Sequence, residues 1–382
     1  MNPAPRIFTG GPIFDGTNLH SACAARFEGG VFTGLVGPDE AGAGDVVDLG
    51  GGILSPGYVD LQVNGGDGIM LGDAPSVTSL RLIAAAHRRL GSVRILPTLI
   101  TDVPAVTARA IEAAASACAA GVPGIAGLHL EGPHLSVARK GAHKADLIRP
   151  MAEADLAQLI DAKAQLPVLK VTLAPESTTP AQVSRLAQAG IIVALGHSDA
   201  DFDTCLQYFE AGATCVTHLF NAMSQLGNRA PGLVGAALAA DAVSAGLIAD
   251  GYHVHPAVMR AAWAAKTGPG ALYLVSDAMA VAGTDETVFT LHGREISRAC
   301  GRLRLADGTL AGADLDLTRA LSVLVNEVGV TLSAALAAAV SVPARVIGLA
   351  RPGLEPGQTR LADMIRIDRD LTRAAPLEDL AL

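Results

Sequence analysis

The sequence predicts an α/β fold, a TIM-like (β/α)₈ barrel with a small β-sandwich domain formed by both chain ends. Three observations predict it. Eight short apolar segments alternate with Ala-rich helical runs, a pattern that implies a parallel sheet. Four of those segments end on a residue of the kind that binds a divalent metal or moves a proton, and a parallel barrel gathers the carboxyl ends of its strands around one mouth. The 382 residues accommodate a barrel of about 250 residues and one small companion.

Residues 1–57 are expected to form the first part of the β-domain. Short β-like runs at Arg6–Thr9, Ala24–Phe27, Val31–Thr33 and Asp45–Leu49 alternate there with Gly, Pro and Asp turns, which predicts a small antiparallel sheet. Residues 351–382, with the run Ala362–Asp368, have the same character and supply the second part. Between them, residues 58–350 read as the barrel. Its strands are expected at Tyr58–Leu61, Val93–Leu96, Ile125–Leu130, Val168–Leu173, Ile191–Gly196, Thr214–Thr217, Val243–Ala249 and Leu272–Ser276. Helical runs such as Val106–Ser116 and Ala154–Ala164 lie between the strands. A count of eight favours closure over an open doubly wound sheet, and no GxGxxG follows the first strand to mark a dinucleotide site. An insertion at about residues 286–312 breaks the alternation. Within it, Val288–Ser297 and Gly301–Leu310 read as two hairpins turned at His292-Gly293 and Asp307-Gly308. The Ala/Leu stretch Leu315–Val340 then supplies closing helices.

Composition narrows the function. Half the residues are hydrophobic and only 3% aromatic, so the core is expected to be Ala, Val, Leu and Ile, which suits barrel layers. The net charge of −9 and the lack of a Lys/Arg stripe exclude nucleic acid or an anionic membrane surface as partner. Five cysteines show no CxxC spacing, which points to a reducing compartment. The N-terminus lacks a signal-peptide pattern, and the apolar stretches are broken well before about 20 residues. A soluble cytoplasmic protein is expected.

The chemistry-bearing residues sit at the predicted strand ends. Glu131, His197, His218 and Asp277 each follow a β run directly. A lone histidine is more often a packed or surface residue than a ligand, but these two close consecutive strands. Two imidazoles plus a carboxylate, with a fourth position left for water, is the arrangement of catalytic zinc sites. His129 shares a strand face with Glu131 and could be a second ligand, although a packed histidine is the preferred reading. Asp277 has a plain alternative as a helix N-cap. Beside metal-activated water it would instead accept a proton and return it to a leaving amine.

At these residues the chain resembles the N-acetylglucosamine-6-phosphate deacetylases of the amidohydrolase superfamily, along essentially its whole length. The matching segments are Ser55–Gly65, Gly127–Pro133, Lys140–His143, Leu195–Ser198, Thr217–Met223, Asp250–His253 and Val275–Met279. The resemblance implies a barrel of the amidohydrolase type and one divalent metal per subunit held by Glu131, His197 and His218. Zn²⁺ is the expected ion, and Fe²⁺ or Co²⁺ suit the same ligands. Most amidohydrolases end their first strand in His-x-His and hold a second metal there. This chain has Gln62-Val63-Asn64, and amides are poor ligands for such an ion, so Gln62 and Asn64 are expected near the metal without binding it directly.

The same resemblance implies Asp277 as general base and then acid, with His143 polarising the acetamide carbonyl; a plain loop histidine is the alternative for His143. Asn221, Ala222 and His253 would bind the sugar phosphate. Arg229 would reach the phosphate of the neighbouring subunit, which predicts a homodimer. His134 follows Glu-Gly-Pro, where the family commonly has an aromatic or apolar residue, and could be an additional ligand. The implied reaction converts N-acetyl-D-glucosamine 6-phosphate to D-glucosamine 6-phosphate and acetate, in amino-sugar catabolism and cell-wall recycling. Two rivals are a deacetylase of N-acetylgalactosamine 6-phosphate and a non-catalytic sugar-phosphate-binding regulator on this fold. A mere binding module needs neither Asp277 nor a complete Glu-His-His set.

Overall fold

The structure, a computed structural model, describes residues 4–37, 43–349 and 353–379. Eight parallel strands lie side by side in chain order. They are β1 (Tyr58–Val63), β2 (Ser92–Ile100), β3 (Leu128–Glu131), β4 (Leu169–Leu173), β5 (Ile192–Leu195), β6 (Cys215–Val216), β7 (Ser244–Leu247) and β8 (Leu272–Leu274). The ring closes just past β8. Val63 bridges Ala278 in parallel, the Asn64 amide donates to the Ala278 carbonyl at 2.9 Å, and the Asp277 amide donates to the Gln62 carbonyl at 3.1 Å. The bonds that close the barrel thereby set Gln62 and Asn64 beside Asp277.

Helices α1 (Val77–Arg89), α2 (Pro104–Ala119), α3 (Glu153–Gln165), α4 (Pro180–Gln188), α5 (Phe202–Glu210), α6 (Gly232–Ala239) and α7 (Pro256–Ala265) follow β1 to β7 in turn. Local sequence starts them. Ser76, Thr179 and Asp201 cap α1, α4 and α5 by accepting a main-chain N–H, and Pro180 occupies the first position of α4, where no N–H is needed. In α2 the buried Ala110, Ile111, Ala114 and Ala117 recur at helical spacing and turn one face to the strands. The main apolar core joins strand residues such as Leu99, Leu128 and Val193 to helix residues such as Ile83, Leu156 and Val183.

The barrel interior departs from the apolar layers expected. Thr172 of β4 and Thr217, at the end of β6, hydrogen bond at 2.6 Å. Those strands are not neighbours, so the two side chains meet inside the ring. His129 spends both ring nitrogens there, on Thr98 at 3.1 Å and Thr172 at 2.7 Å. Buried polar groups are tolerated where each finds a partner, and His129 is therefore a packed histidine.

Both chain ends contribute strands to adjoining sheets. Val31–Val36, Ala24–Glu28, Arg6–Thr9 and Asp45–Asp48 form one four-stranded sheet in that order. Met364–Ile367 pairs antiparallel with Ile53–Pro56 in a second sheet of five strands. Phe8, Phe27, Phe32 and Leu54 fill the space between, with Phe8 and Phe27 edge to face at 5.6 Å.

The insertion differs from the expected pair of hairpins. Val288–Leu291, Arg294–Ala299 and Arg302–Leu305 form one three-stranded antiparallel meander. Its second tight turn is Cys300-Gly301, where both residues have positive φ, as do His292 and Gly293 in the first. Asp307-Gly308 only folds the chain back so that Leu310 bridges Arg304. Cysteine is not a turn-forming residue by composition, so this turn was not legible. Among the described residues no helix is long and apolar enough to cross a membrane.

Candidate active site

Glu131, His197, His218 and Asp277 converge at the carboxyl ends of β3, β5, β6 and β8, around a cavity of about 390 Å³. The backbone there is unusual. His197, His218 and Asp277 have φ of 48°, 30° and 50°, in the left-handed region that side chains with a Cβ rarely adopt. Phe220 and Ala222 follow at 78° and 50°. Such conformations persist only where the surroundings over-determine them, and they cluster at functional sites. Here each turns a side chain inward at the point where its strand gives way to a loop.

Three ligand atoms form a small triangle. His218 Nε2 lies 3.0 Å from Glu131 Oε1, His197 Nε2 lies 3.3 Å from the same oxygen, and the two Nε2 atoms are 3.1 Å apart. Ligands bonded at about 2.0–2.1 Å to a tetrahedral ion stand about 3.3 Å from one another. The triangle therefore fits one small divalent cation. His197 is pre-set for the role, because its Nδ1 donates to the Arg139 carbonyl at 2.8 Å and leaves the Nε2 lone pair free.

His143 also comes within 4.8 Å of Glu131 and His197, so a Glu131–His143–His197 set competes geometrically. Its tautomer argues against that set. The Thr101 amide donates to His143 Nδ1 at 3.3 Å, and the Thr101 hydroxyl sits 2.8 Å from the same atom. With Nδ1 accepting, the proton resides on Nε2, which lies 3.8 Å from Glu131 Oε2. An N–H donates and does not ligate. Burial and then the neighbouring His197 hold the imidazole well below its ordinary pKa, so His143 is a neutral donor facing the cavity.

Asp277 is held by the two amide side chains at the end of β1, Gln62 and Asn64. Asn64 Nδ2 donates to its Oδ1 at 2.7 Å and Gln62 Nε2 at 3.1 Å. The Gln62 amide is shared, since it also lies 3.1 Å from Glu131 Oε1. Burial, and then the Glu131 carboxylate, push the Asp277 carboxyl above its usual range, which makes it a better base. Glu131 goes the other way. Burial opposes its charge, but the His197 and His218 imidazoles facing it hold its carboxyl well below the usual range. Two carboxylates with divergent proton affinities side by side is the pattern of an acid–base pair in which one member stays ionised.

Asn221, Ala222 and His253 line the same cavity. Asp250 fixes His253 by a 2.6 Å contact with Nδ1, which leaves Nε2 as the remaining polar atom of the ring. Arg229 does not line the cavity of its own chain and stands exposed. His134 bonds the Arg149 carbonyl at 3.0 Å and lies outside the cavity lining. Sequence reasoning missed Thr101 and the carbonyl of Arg139, which act through main-chain atoms that no residue type advertises. It also left Glu176 without a role. That carboxylate accepts from Ser198 Oγ at 2.8 Å and the Asp199 amide at 2.6 Å, and so anchors the loop that carries His197.

A parallel barrel that assembles this cation-sized triangle beside a basic carboxylate and an imidazole donor defines a metal-dependent hydrolase. Residues 53–381 match the amidohydrolase family, and the chain belongs to it. An N-acetylgalactosamine-6-phosphate deacetylase of Shewanella sp. (strain ANA-3) is 41% identical over 95% of this chain and 92% of its own length. An N-acetylglucosamine-6-phosphate deacetylase of Danio rerio is 36% identical over 87% of this chain and 85% of its own. The crystal structure of N-acetylglucosamine-6-phosphate deacetylase from Pasteurella multocida matches with a TM-score of 0.91 at 31% identity, covering 98% of both chains. A mutant N-acetyl-D-glucosamine-6-phosphate deacetylase from Mycobacterium smegmatis, in complex with N-acetyl-D-glucosamine-6-phosphate, matches with a TM-score of 0.89 at 31% identity over 97% of both chains.

Proposed function

We propose that the protein hydrolyses the acetamide of N-acetyl-D-glucosamine 6-phosphate to D-glucosamine 6-phosphate and acetate, a step of amino-sugar catabolism. The observation that carries this reading is the convergence of Asp277 and His143 with the Glu131–His197–His218 triangle in one cavity. A cation held by those three, Zn²⁺ in the first instance, would supply Lewis acidity to water and to the acyl oxygen. Asp277 takes the proton of the attacking water. Because Gln62 and Asn64 both bond to Oδ1, Oδ2 is the oxygen that receives it. His143 donates from Nε2 to the oxyanion that develops on the acyl oxygen. Asp277 then returns its proton to the departing amine, which would otherwise leave as a poor anion.

Asn221, Ala222 and His253 hold the sugar phosphate at the other end of the cavity. Arg229, exposed in its own chain, completes that end from the partner of a homodimer, where its planar fork suits a phosphate dianion. In this reading residues 58–350 are the catalytic barrel, and residues 1–57 and 351–382 form the flanking β-domain. The five cysteines, all free, suit a reducing cytoplasm.

The test is acetate release from a panel of substrates, paired with metal analysis of the purified protein. The 6-phosphorylated N-acetylglucosamine should be turned over and metal should be present at one per chain. Absence of acetate release from every N-acetylated sugar phosphate overturns the reading in favour of a binding protein. A second reading, the galactosamine epimer, is favoured by the names of two relatives, at 41% and 37% identity. The ratio of the two epimers in the same panel decides between them. Arg229→Ala should penalise the phosphorylated substrate far more than N-acetylglucosamine itself, by about 10-fold or more for the loss of a charge-assisted bidentate contact. Equal penalties on both substrates would remove Arg229 from the phosphate site.

A further inference from the structure

The insertion after β8 builds one wall of the cavity. Its inward residues Phe289, Leu291, Ile296 and Leu303 form an apolar cluster of their own with Met279, and Ile100 and Ala142 pack against it. Four of these residues, Ile100, Ala142, Met279 and Leu291, also line the cavity. Three of the four are tied by the chain to the polar machinery. Ile100 precedes Thr101, which fixes His143, while Ala142 precedes His143 and Met279 lies two residues beyond Asp277. The wall is fastened in place, because His292 Nε2 meets Asp102 Oδ2 at 3.2 Å and the Arg294 guanidinium donates to the Ala142 carbonyl. Met279 also lies tightly against Gly312. A Cβ on Gly312 would stand 2.4 Å from its Cγ and 2.5 Å from its Sδ, so only glycine lets it lie there.

We infer that the corner formed by Ile100, Ala142, Met279 and Leu291 is the acyl subsite, and that Leu291 and Met279 are the residues that limit the acyl chain to a short one. The inference rests on the N-acyl hydrolysis proposed above. An amide carbon carries three substituents. Its oxygen faces His143 and the triangle, and its nitrogen leads to the sugar and on toward Asn221 and His253. The remaining substituent is directed at the apolar corner. Both limiting side chains are almost wholly buried, Leu291 at 3% and Met279 at 2% exposure, so the wall cannot yield without disturbing the layer behind it.

The experiment compares kcat/KM for N-acetyl, N-propionyl and N-butyryl glucosamine 6-phosphate in wild type, Leu291→Ala and Met279→Ala. Each surplus methylene in a fixed pocket costs about 10-fold or more, so wild type should fall steeply from acetyl to butyryl. In both variants the butyryl-to-acetyl ratio should rise by about 10-fold or more. Leu291→Val guards against loss of folding, since it removes one methylene and should raise the propionyl ratio first. A purely structural role would lower all three substrates together and leave the ratios where they were. Unchanged ratios, with acetyl still hydrolysed, overturn the acyl subsite alone. If wild type hydrolyses none of the three, the proposed function falls and the subsite falls with it.

Discussion

Asp277→Asn should lower turnover by about 10²–10⁴, the usual worth of a positioned proton-transfer group, while metal content and thermal stability stay near those of wild type. The replacement keeps the shape of the side chain. Its amide oxygen can still accept from Asn64 and Gln62, which approach Oδ1 at 2.7 and 3.1 Å. What it loses is the capacity to take a proton from water and return it to the amine. Single-turnover acetate release together with metal analysis would check this, because a defect in the chemical step appears in kcat with occupancy intact. Turnover near that of wild type would leave Asp277 as nothing more than a strand-end residue bonded to its neighbours.

The second large effect separates the two candidate metal sets. His218→Ala should lose bound metal and activity together, since it removes one of three protein ligands from the triangle. His143→Ala should keep its metal and lose turnover, because the Thr101 amide assigns the Nε2 proton that makes His143 a donor. Metal content of the purified variants, normalised to folded protein, is the measurement. The opposite pattern, metal kept in His218→Ala and lost in His143→Ala, would move the cation to the Glu131–His143–His197 set and overturn the assignment.

These variants act on residues that the sequence already singled out, for a physical reason. A polar or charged residue directly after an apolar β run is expensive unless it serves a purpose, and in a parallel barrel all such positions face one mouth. Glu131, His197, His218 and Asp277 are all of this kind. The helical runs and the four strands near the N-terminus were legible from period and turn residues, with bounds shifted by a residue or a few. Asp45–Asp48, however, joins Arg6–Thr9 in parallel where an antiparallel sheet was expected, because pairing direction is set by the connection and not by the strand's own residues. Short β pieces such as Ile13–Phe14 and Leu19–His20 were not, because two residues carry no period. The meander turn at Cys300-Gly301 was hidden for a similar reason, since its first residue has no turn signature.

The sequence by itself determined the kind of fold and the chemical alphabet of the site. Alternating strands and helices call for a closed parallel sheet, and carboxylates and imidazoles at strand ends call for a cation and a proton carrier. Only the tertiary structure decided how those groups divide the work. Which nitrogen of His197 is free depends on the carbonyl of Arg139, and which nitrogen of His143 carries the proton depends on the amide of Thr101. Gln62 and Asn64 become clamps on Asp277 because barrel closure brings the end of β1 against the segment after β8. Every residue but proline carries the same amide N–H and carbonyl, so composition and spacing cannot say where those main-chain groups will point. Their placement is fixed when the ring closes.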